Sequence, residues 1–379
     1  INLAGDANAP EADLTGLRAD LLLLDERLRA LVAEVQPINP ILRRLGEYPP
    51  FGSIPELLET AQRLTSVAVQ AEPYADWLLG MDSPRHYLLV VQNNHELRAT
   101  GGFISAFGYL VLDKGKIADM NFVDSYELFS MQSEYPPAPA PMEQYMGIQL
   151  LVARDANWSP DLPTAAPEIA RLYTQDSGQQ VDAIITLDLN AVRHLVGALN
   201  ALSVKGVKGP VTAANVESVL VRLWESPPGG GETAATSGLD WWLKRKDFVS
   251  LVAGAAIARI ETGKFDPPTL IGSLTAALDD RSIQVWIDQP QLQKIVAEQG
   301  WDGGLHPETD ADFLAVVDSN VGYNKVNAAI QRQLDYQVTW PDGPDAGAQA
   351  VLTLTYTHPV TPTEAGCDPA PHYGDTYAD

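Results

Sequence analysis

At 379 residues, with 45% apolar and 20% charged side chains, the chain is long enough for two or three domains around a large core, and its composition is that of a globular protein. It carries 25 basic against 49 acidic residues, a net charge of −24. Nucleic acid is thereby excluded as a partner, since its phosphates are bound by clustered Lys and Arg; an anion site here must be a local basic pocket in an acidic envelope.

The first element is a seam. Leu14, Leu17, Leu21, Leu24, Leu28, Leu31 and Val35 alternate spacings of three and four, as in a coiled coil. Pro37, Pro40, Pro49 and Pro50 break it, and a second helix is expected from Ser53, where Ser53-x-x-Glu56 is a capping box. Leu57, Ala61, Leu64, Ala68, Ala71, Ala75 and Leu78 then repeat the rhythm. Together they predict an antiparallel helical hairpin, a stalk over residues 1–82.

An α/β core domain is expected over 83–333. Tyr87 to Val91 is a continuous apolar run, as in a strand buried on both faces. Ile104 to Leu112 and Ile117 to Val123 predict the next two strands, joined by the turn Asp113-Lys114-Gly115-Lys116. Pro136 to Pro141 is a surface loop; Val181 to Leu187 is another buried strand, followed by a helix from Asn190 to about Leu199. Thr212 to Ala277 is mostly helical, interrupted by Pro227-Pro-Gly-Gly-Gly231. Within it Phe248 to Ile260 is apolar nearly all round, which predicts a helix that is buried or lines a greasy cavity. Ile283 to Ile287 and Phe313 to Val317 are expected as returning strands. Leu334 to Trp340 and Val351 to Tyr356 flank Asp342-Gly343, a hairpin that opens a C-terminal β module over 334–379. Strands alternating with helices argue an α/β sandwich.

Familiar catalytic signatures are missing from the sequence: there is no nucleophile elbow, no phosphate loop and no His-Glu-x-x-His. Six scattered His and one Cys give no basis for a dedicated zinc site. That cysteine, Cys367, is read either as a free thiol or as half of a disulfide whose partner lies beyond Asp379.

The prominent motif is Asn93-Asn94-His95-Glu96-Leu97-Arg98-Ala99-Thr100-Gly101-Gly102-Phe103, at the end of a buried strand, where open α/β sheets place ligands. Gly101 and Gly102 would let backbone N–H groups approach an anion, with Asn94 beside them, and Arg98 would clamp phosphate oxygens; the plainer alternative is a polar turn with a surface Arg. Asp124-Ser125-Tyr126-Glu127 and Arg154-Asp155-Ala156-Asn157-Trp158-Ser159-Pro160-Asp161 also follow core elements. Asp124 or Asp155 would hold Mg²⁺ together with a pyrophosphate, unless each is a helix cap or a loop acid. Asp318-Ser-Asn-Val-Gly-Tyr-Asn-Lys325 is a fourth polar turn, read as structural. Lys244-Arg245-Lys246, after Trp241-Trp242, is either the charged rim of the apolar helix, suited to an amphiphile with an anionic head, or a solvated helix end.

The runs Asn93 to Phe103, Asp113 to Asp124, Arg154 to Asp161, Val181 to Asp188 and Asp318 to Lys325 resemble a bacterial family known as domain of unknown function 4012, over roughly residues 10–360. Its members look like membrane-anchored proteins with this part outside. The resemblance implies a cell-envelope, extracytoplasmic location and an anchoring segment of about 20 apolar residues shortly before Ile1. The opening Ile1-Asn2 without an initiator Met fits a processed product, and the chain holds no run of eighteen apolar residues of its own.

More distantly, the order of parts is similar to the LytR-CpsA-Psr transferases, which move a glycopolymer from a polyprenyl-pyrophosphate carrier onto the cell wall. That similarity implies an α/β/α sandwich, here with an N-terminal helical hairpin and the start of a C-terminal β module. Arg98 falls at the place of that family's first pyrophosphate-binding Arg, Asp124 near its acidic metal position, and Ile184 to Gly197 at its strand-helix-glycine unit. Their Pro-Arg-Asp turn is replaced by Val123-Asp124-Ser125, so a second Arg is missing there and Arg154 would have to substitute. The expected site therefore has Arg98, Asp124 and Arg154 as its reactive group, Asn94, Gly101, Gly102 and Lys246 as pyrophosphate contacts, and Asp124 and Asp155 as Mg²⁺ ligands. The expected partner is a lipid-linked pyrophosphate or a cell-wall polymer. The rival expectation is a non-enzymatic envelope scaffold of the same fold, with other envelope proteins as partners.

Overall fold

The computed structural model describes residues 17–38, 40, 54–225, 247–340 and 347–359. Ser53 of the capping box, the 227–231 loop, the basic triplet with Lys246, Asp342-Gly343 and Cys367 lie outside the described residues.

Both seams fold as helices, α1 over Leu17–Val35 and α2 over Ile54–Ala71, and they pack against each other. The second helix also holds on to the body. Arg63 donates to both Asp279 oxygens, at 3.1 and 2.6 Å, and its guanidinium lies 5.8 Å from the Trp301 ring centre.

Five strands form the central sheet: β1 (Arg85–Asn93), β2 (Phe103–Asp113), β3 (Lys116–Asp124), β4 (Ala183–Leu187) and β5 (Ile283–Ile287). Their order is β3-β2-β1-β4-β5; β1 and β4 run parallel and the other neighbours antiparallel. The β2–β3 hairpin turns on Lys114 and Gly115, at φ 51° and 73°. A two-residue turn with both residues left-handed suits the twist of the flanking strands. After β3 come α3 (Ala140–Met146) and α4 (Leu162–Ser177), the latter capped by Asp161, whose carboxylate accepts from the Thr164 amide at 3.0 Å.

Alternation along β1 sends Leu88, Val90 and Gln92 to one face and Tyr87, Leu89 and Val91 to the other. The first face packs on α4 through Leu88, Val90, Phe107, Ile184, Leu162 and Ile169, all at 0% exposure. Each such side chain withdrawn from water contributes roughly 2 kcal/mol. On the second face Tyr87, Ala183 and Ile287 meet Trp77, Leu78 and Leu292, the last from the helix Pro290–Glu298. Further along that face Leu89, Val91, Ile185 and Leu187 are only half-buried. Helices on both sides of a mixed sheet give the expected α/β sandwich.

A second apolar cluster joins α5 (Leu189–Ala198), α6 (Val216–Glu225) and α7 (Asp247–Glu261) through Val196, Val219, Leu220, Val252 and Ala256. The apolar α7 is not buried all round: Val252 and Ala256 face the cluster, and Ile260 is 41% exposed.

Phe313 to Val317 is not a strand, contrary to its apolar run; the sheet ends at β5. The segment is instead tied at both ends to a separate hairpin, β6 (Gln331–Thr339) and β7 (Gln349–Thr357). Tyr336 donates to Asp312, and Tyr356 and Arg332 donate to Asp318. Leu334, Tyr336 and Val338 share one face of the hairpin with Leu354, Leu352 and Ala350 opposite them.

Candidate functional site

The loop between β1 and β2 folds back on the strand it leaves. The Glu96 amide donates to the Asn93 carbonyl at 3.1 Å and the Phe103 amide to the Glu96 carbonyl at 2.8 Å. At Gly102 a Cβ would lie 2.4 Å from the Asn93 carbonyl carbon and oxygen, so only glycine permits this approach. Gly101, at φ 137°, spends its amide on the Arg98 carbonyl at 2.9 Å. The glycines thus shape the loop from within, whereas the sequence pattern pointed to their amides as anion contacts.

That geometry carries Arg98 inward. Its side chain is 2% exposed. Nη1 donates to the carbonyls of Leu97 and Asn320, Nη2 to Glu96 Oε1 at 3.1 Å, and the guanidinium lies 5.6 Å from the centre of the Phe103 ring. Nε is buried with no hydrogen-bond partner. The loop it secures is a network of Asn320, Asn324 and Asn327: Asn320 donates to both neighbours, and Asn327 accepts from the Leu97 amide at 3.2 Å.

Arg154 has the opposite exposure. It lies in the short turn Ala153–Asp155, with its side chain 24% exposed and its guanidinium 4.6 Å from the Tyr126 ring centre. Tyr126 in turn sits 6.0 Å from Phe103. Asp124, at the end of β3, sets up this tyrosine by accepting its amide hydrogen at 3.0 Å. Asp155 is buried beside Arg154, 3.6 Å from its Nε. Burial pushes the Asp155 carboxyl up, while Arg154 and then Arg98 pull it down. Burial likewise raises Glu96, against the opposing pull of Arg98.

The structure therefore brings Arg98, Arg154 and Asp155 into one electrostatic group, with Asp124 joined to it through Tyr126. Asn94 belongs to the neighbouring side of the loop, where its Nδ2 donates to Asp188 at 3.2 Å. Lys246 lies outside the described residues. Phe103, Tyr126, Glu96 and Asn320 stand in the motifs noted from the sequence, but their pairing depends on contacts between strand ends that spacing does not encode.

Among the described residues no cluster of three or more His, Cys, Asp or Glu side chains could hold a metal ion. Asp155 shares its surroundings with two guanidinium groups, an unfavourable place for a resident cation. These residues do not form a metal cage by themselves; Mg²⁺ bound here would draw its other ligands from phosphate and water.

Residues 82–223 match the family described as a protein of unknown function, DUF4012. The match bears out the resemblance over those residues, which include Asn94, Arg98, Asp124, Arg154 and Asp155 but not the asparagine loop. No curated protein matches the chain. Among solved structures, the Lin1025 protein from Listeria innocua is similar over 58% of this chain and 79% of its own, at 12% identity and a TM-score of 0.33. A structure titled as the transcriptional regulator yvhJ from Bacillus subtilis is similar over 72% and 90%, at 10% identity and a TM-score of 0.32. B. subtilis TagV is similar over 58% and 81%, at 12% identity and a TM-score of 0.28. No helix among the described residues is long and apolar enough to cross a membrane.

Proposed function

We propose that the chain works in the cell envelope, outside the cytoplasm, and binds the pyrophosphate of a lipid-linked glycopolymer at the Arg154 end of this cluster. Arg154 carries the reading. It is a guanidinium about a quarter exposed in a protein of net charge −24, held over Tyr126, and among the described residues its one ion pair is with Asp155. A guanidinium fork matches two phosphate oxygens, and a ring beneath fixes its plane. Arg98 adds positive charge from below and holds the loop in place. Mg²⁺ would enter with the pyrophosphate and take Asp124 or Asp155 among its ligands. The half-buried Leu89, Val91, Ile185 and Leu187, together with α7, offer apolar surface to a prenyl chain. The order of parts, similar to the LytR-CpsA-Psr transferases, supports the same ligand class and extends it to transfer onto an acceptor hydroxyl.

A second reading, an envelope scaffold without a reaction, is favoured by one observation: the Nη groups of Arg98 are already taken by Glu96 and two backbone carbonyls. Farnesyl pyrophosphate with Mg²⁺ distinguishes the two. A ligand at a hundred times its Kd stabilises the native state by about 2.7 kcal/mol, a shift of several degrees in melting temperature. The binding reading expects that shift in the wild type and its loss in Arg154→Ala. An unmoved melting temperature in the wild type would leave the scaffold as the better account.

A further inference from the structure

β1 and β4 are the parallel neighbours of the sheet, and the chain leaves their C-terminal ends in opposite directions, from β1 towards β2 and from β4 through α5 to the β5 side. Where two such connections diverge, they leave a crevice, and open α/β sheets bind ligands there. In this chain the crevice is bordered by Asn94 and His95 of the first loop, Asp188 after β4, and Glu217 in the first turn of α6.

One polar atom here is left over. Asn94 Nδ2 donates to Asp188 Oδ2 at 3.2 Å, while Asn94 Oδ1 is buried with no hydrogen-bond partner. Asp188 Oδ1 caps α5 by accepting from the Asn190 and Ala191 amides, at 2.8 and 3.0 Å. That cap explains one carboxylate oxygen and the position of the helix, but it does not explain an orphaned amide oxygen beside it. His95 Nε2 lies 3.2 Å from Glu217 Oε1; the His95 side chain is 13% exposed and Glu217 48%, so the crevice opens to solvent at Glu217. His95 adjoins Glu96, the ion-pair partner of Arg98 at 3.1 Å, so this crevice lies beside the arginine cluster.

The chemistry differs from that around Arg154. Two carboxylates would repel a phosphate, yet carboxylate, amide carbonyl and imidazole together accept and donate in the alternation that adjacent hydroxyl groups present. A hydroxyl donating to Asn94 Oδ1 would satisfy a group that the fold leaves bare. We propose that Asn94, Asp188, His95 and Glu217 form a subsite for a neutral, hydroxyl-rich ligand, a saccharide, next to the pyrophosphate position. The inference rests on the function proposed above, in which the bound ligand has a sugar beyond its phosphates.

The test titrates the full chain with two probes measured separately by calorimetry, a neutral tetrasaccharide of N-acetylglucosamine and inorganic pyrophosphate. Glu217→Gln, a change at a half-exposed side chain that leaves the fold intact, and Asn94→Ala should each weaken the tetrasaccharide about tenfold, the loss expected for one charged or buried hydrogen bond. Both should hold pyrophosphate as the wild type does, and Arg154→Ala should show the reverse pattern. Failure of the wild type to bind the tetrasaccharide, or binding that survives both crevice substitutions, overturns the subsite. Saccharide binding with no pyrophosphate binding would instead overturn the pyrophosphate reading and leave the subsite standing.

Discussion

Arg98 and Arg154 occupy the two ends of one aromatic pair, Arg98 5.6 Å from the centre of Phe103 and Arg154 4.6 Å from that of Tyr126, with the rings 6.0 Å apart. Two like charges share one cluster because each lies against a ring and a carboxylate, Glu96 for the buried arginine and Asp155 for the open one. The division of labour follows from burial: the inner residue positions the loop, and the outer one is the guanidinium placed to meet the proposed ligand.

That division predicts unequal stability effects. Arg98→Ala leaves Glu96 buried and uncompensated, and breaking a buried pair costs on the order of 3–5 kcal/mol. Arg154→Ala removes a longer contact at 3.6 Å and leaves the buried Asp155 with the charge of Arg98 still near it, so a smaller loss of about 1–3 kcal/mol is expected. Urea denaturation of the two variants gives the comparison; equal midpoints would contradict the assigned roles.

Gly102→Ala tests the loop from another side. Its Cβ would sit 2.4 Å from the Asn93 backbone, which must therefore move. Overpacking of this kind costs about 1–3 kcal/mol, and the displaced loop should also lose its grip on Arg98. A variant that melts with the wild type would show that the close approach is not needed.

Asp155 and Glu96 give the site a pH signature. Burial raises both carboxyls above their ordinary range, with the neighbouring arginines opposing. Between the ordinary and the raised value the folded chain holds protons that the unfolded chain has released, so this part of the stability is present at low pH and is lost as pH rises. Asp155→Asn, uncharged throughout, should flatten the stability curve above about pH 4, the ordinary carboxylate range. Denaturation midpoints across that window check it, and an unchanged slope speaks against a buried, raised Asp155.

The terminal hairpin depends on Asp318, which accepts from Tyr356 at 2.7 Å and from Arg332. A two-stranded sheet is marginal without such support. Asp318→Ala should speed amide exchange across β6 and β7 while β1 to β5 keep their protection. Uniform exchange in variant and wild type would mean that the hairpin stands alone.

Much of the body was legible because local signals agreed with tertiary ones. Tyr87 to Val91 is apolar without interruption, Val181 to Leu187 is broken only by Asp182 and Thr186, the two became neighbouring parallel strands, and Lys114-Gly115 supplied the left-handed turn. Phe313 to Val317 was misleading for the same reason: its apolar run reads as a strand, but its partner is the side-chain face of a hairpin and not a backbone ladder. In the site, the polar motifs after core strands singled out Arg98, Asp124 and Asp155, and the resemblance to the transferases added Arg154. Their exposures could not be read, because burial of Arg98 is decided by Asn320, more than two hundred residues away. Phe103 and Tyr126 belong to two separate motifs, and only the β2–β3 pairing brings their rings together.

The central claim is that a partly exposed arginine over a tyrosine ring receives a lipid-linked pyrophosphate. Calorimetric titration with farnesyl pyrophosphate and Mg²⁺ tests it most directly, in the wild type, Arg154→Ala and Arg154→Lys. The account predicts saturable binding in the wild type, loss of about tenfold or more in the alanine variant, and only partial recovery with lysine, which brings the charge without the fork. Equal affinity in all three proteins, or no binding in any, would contradict it.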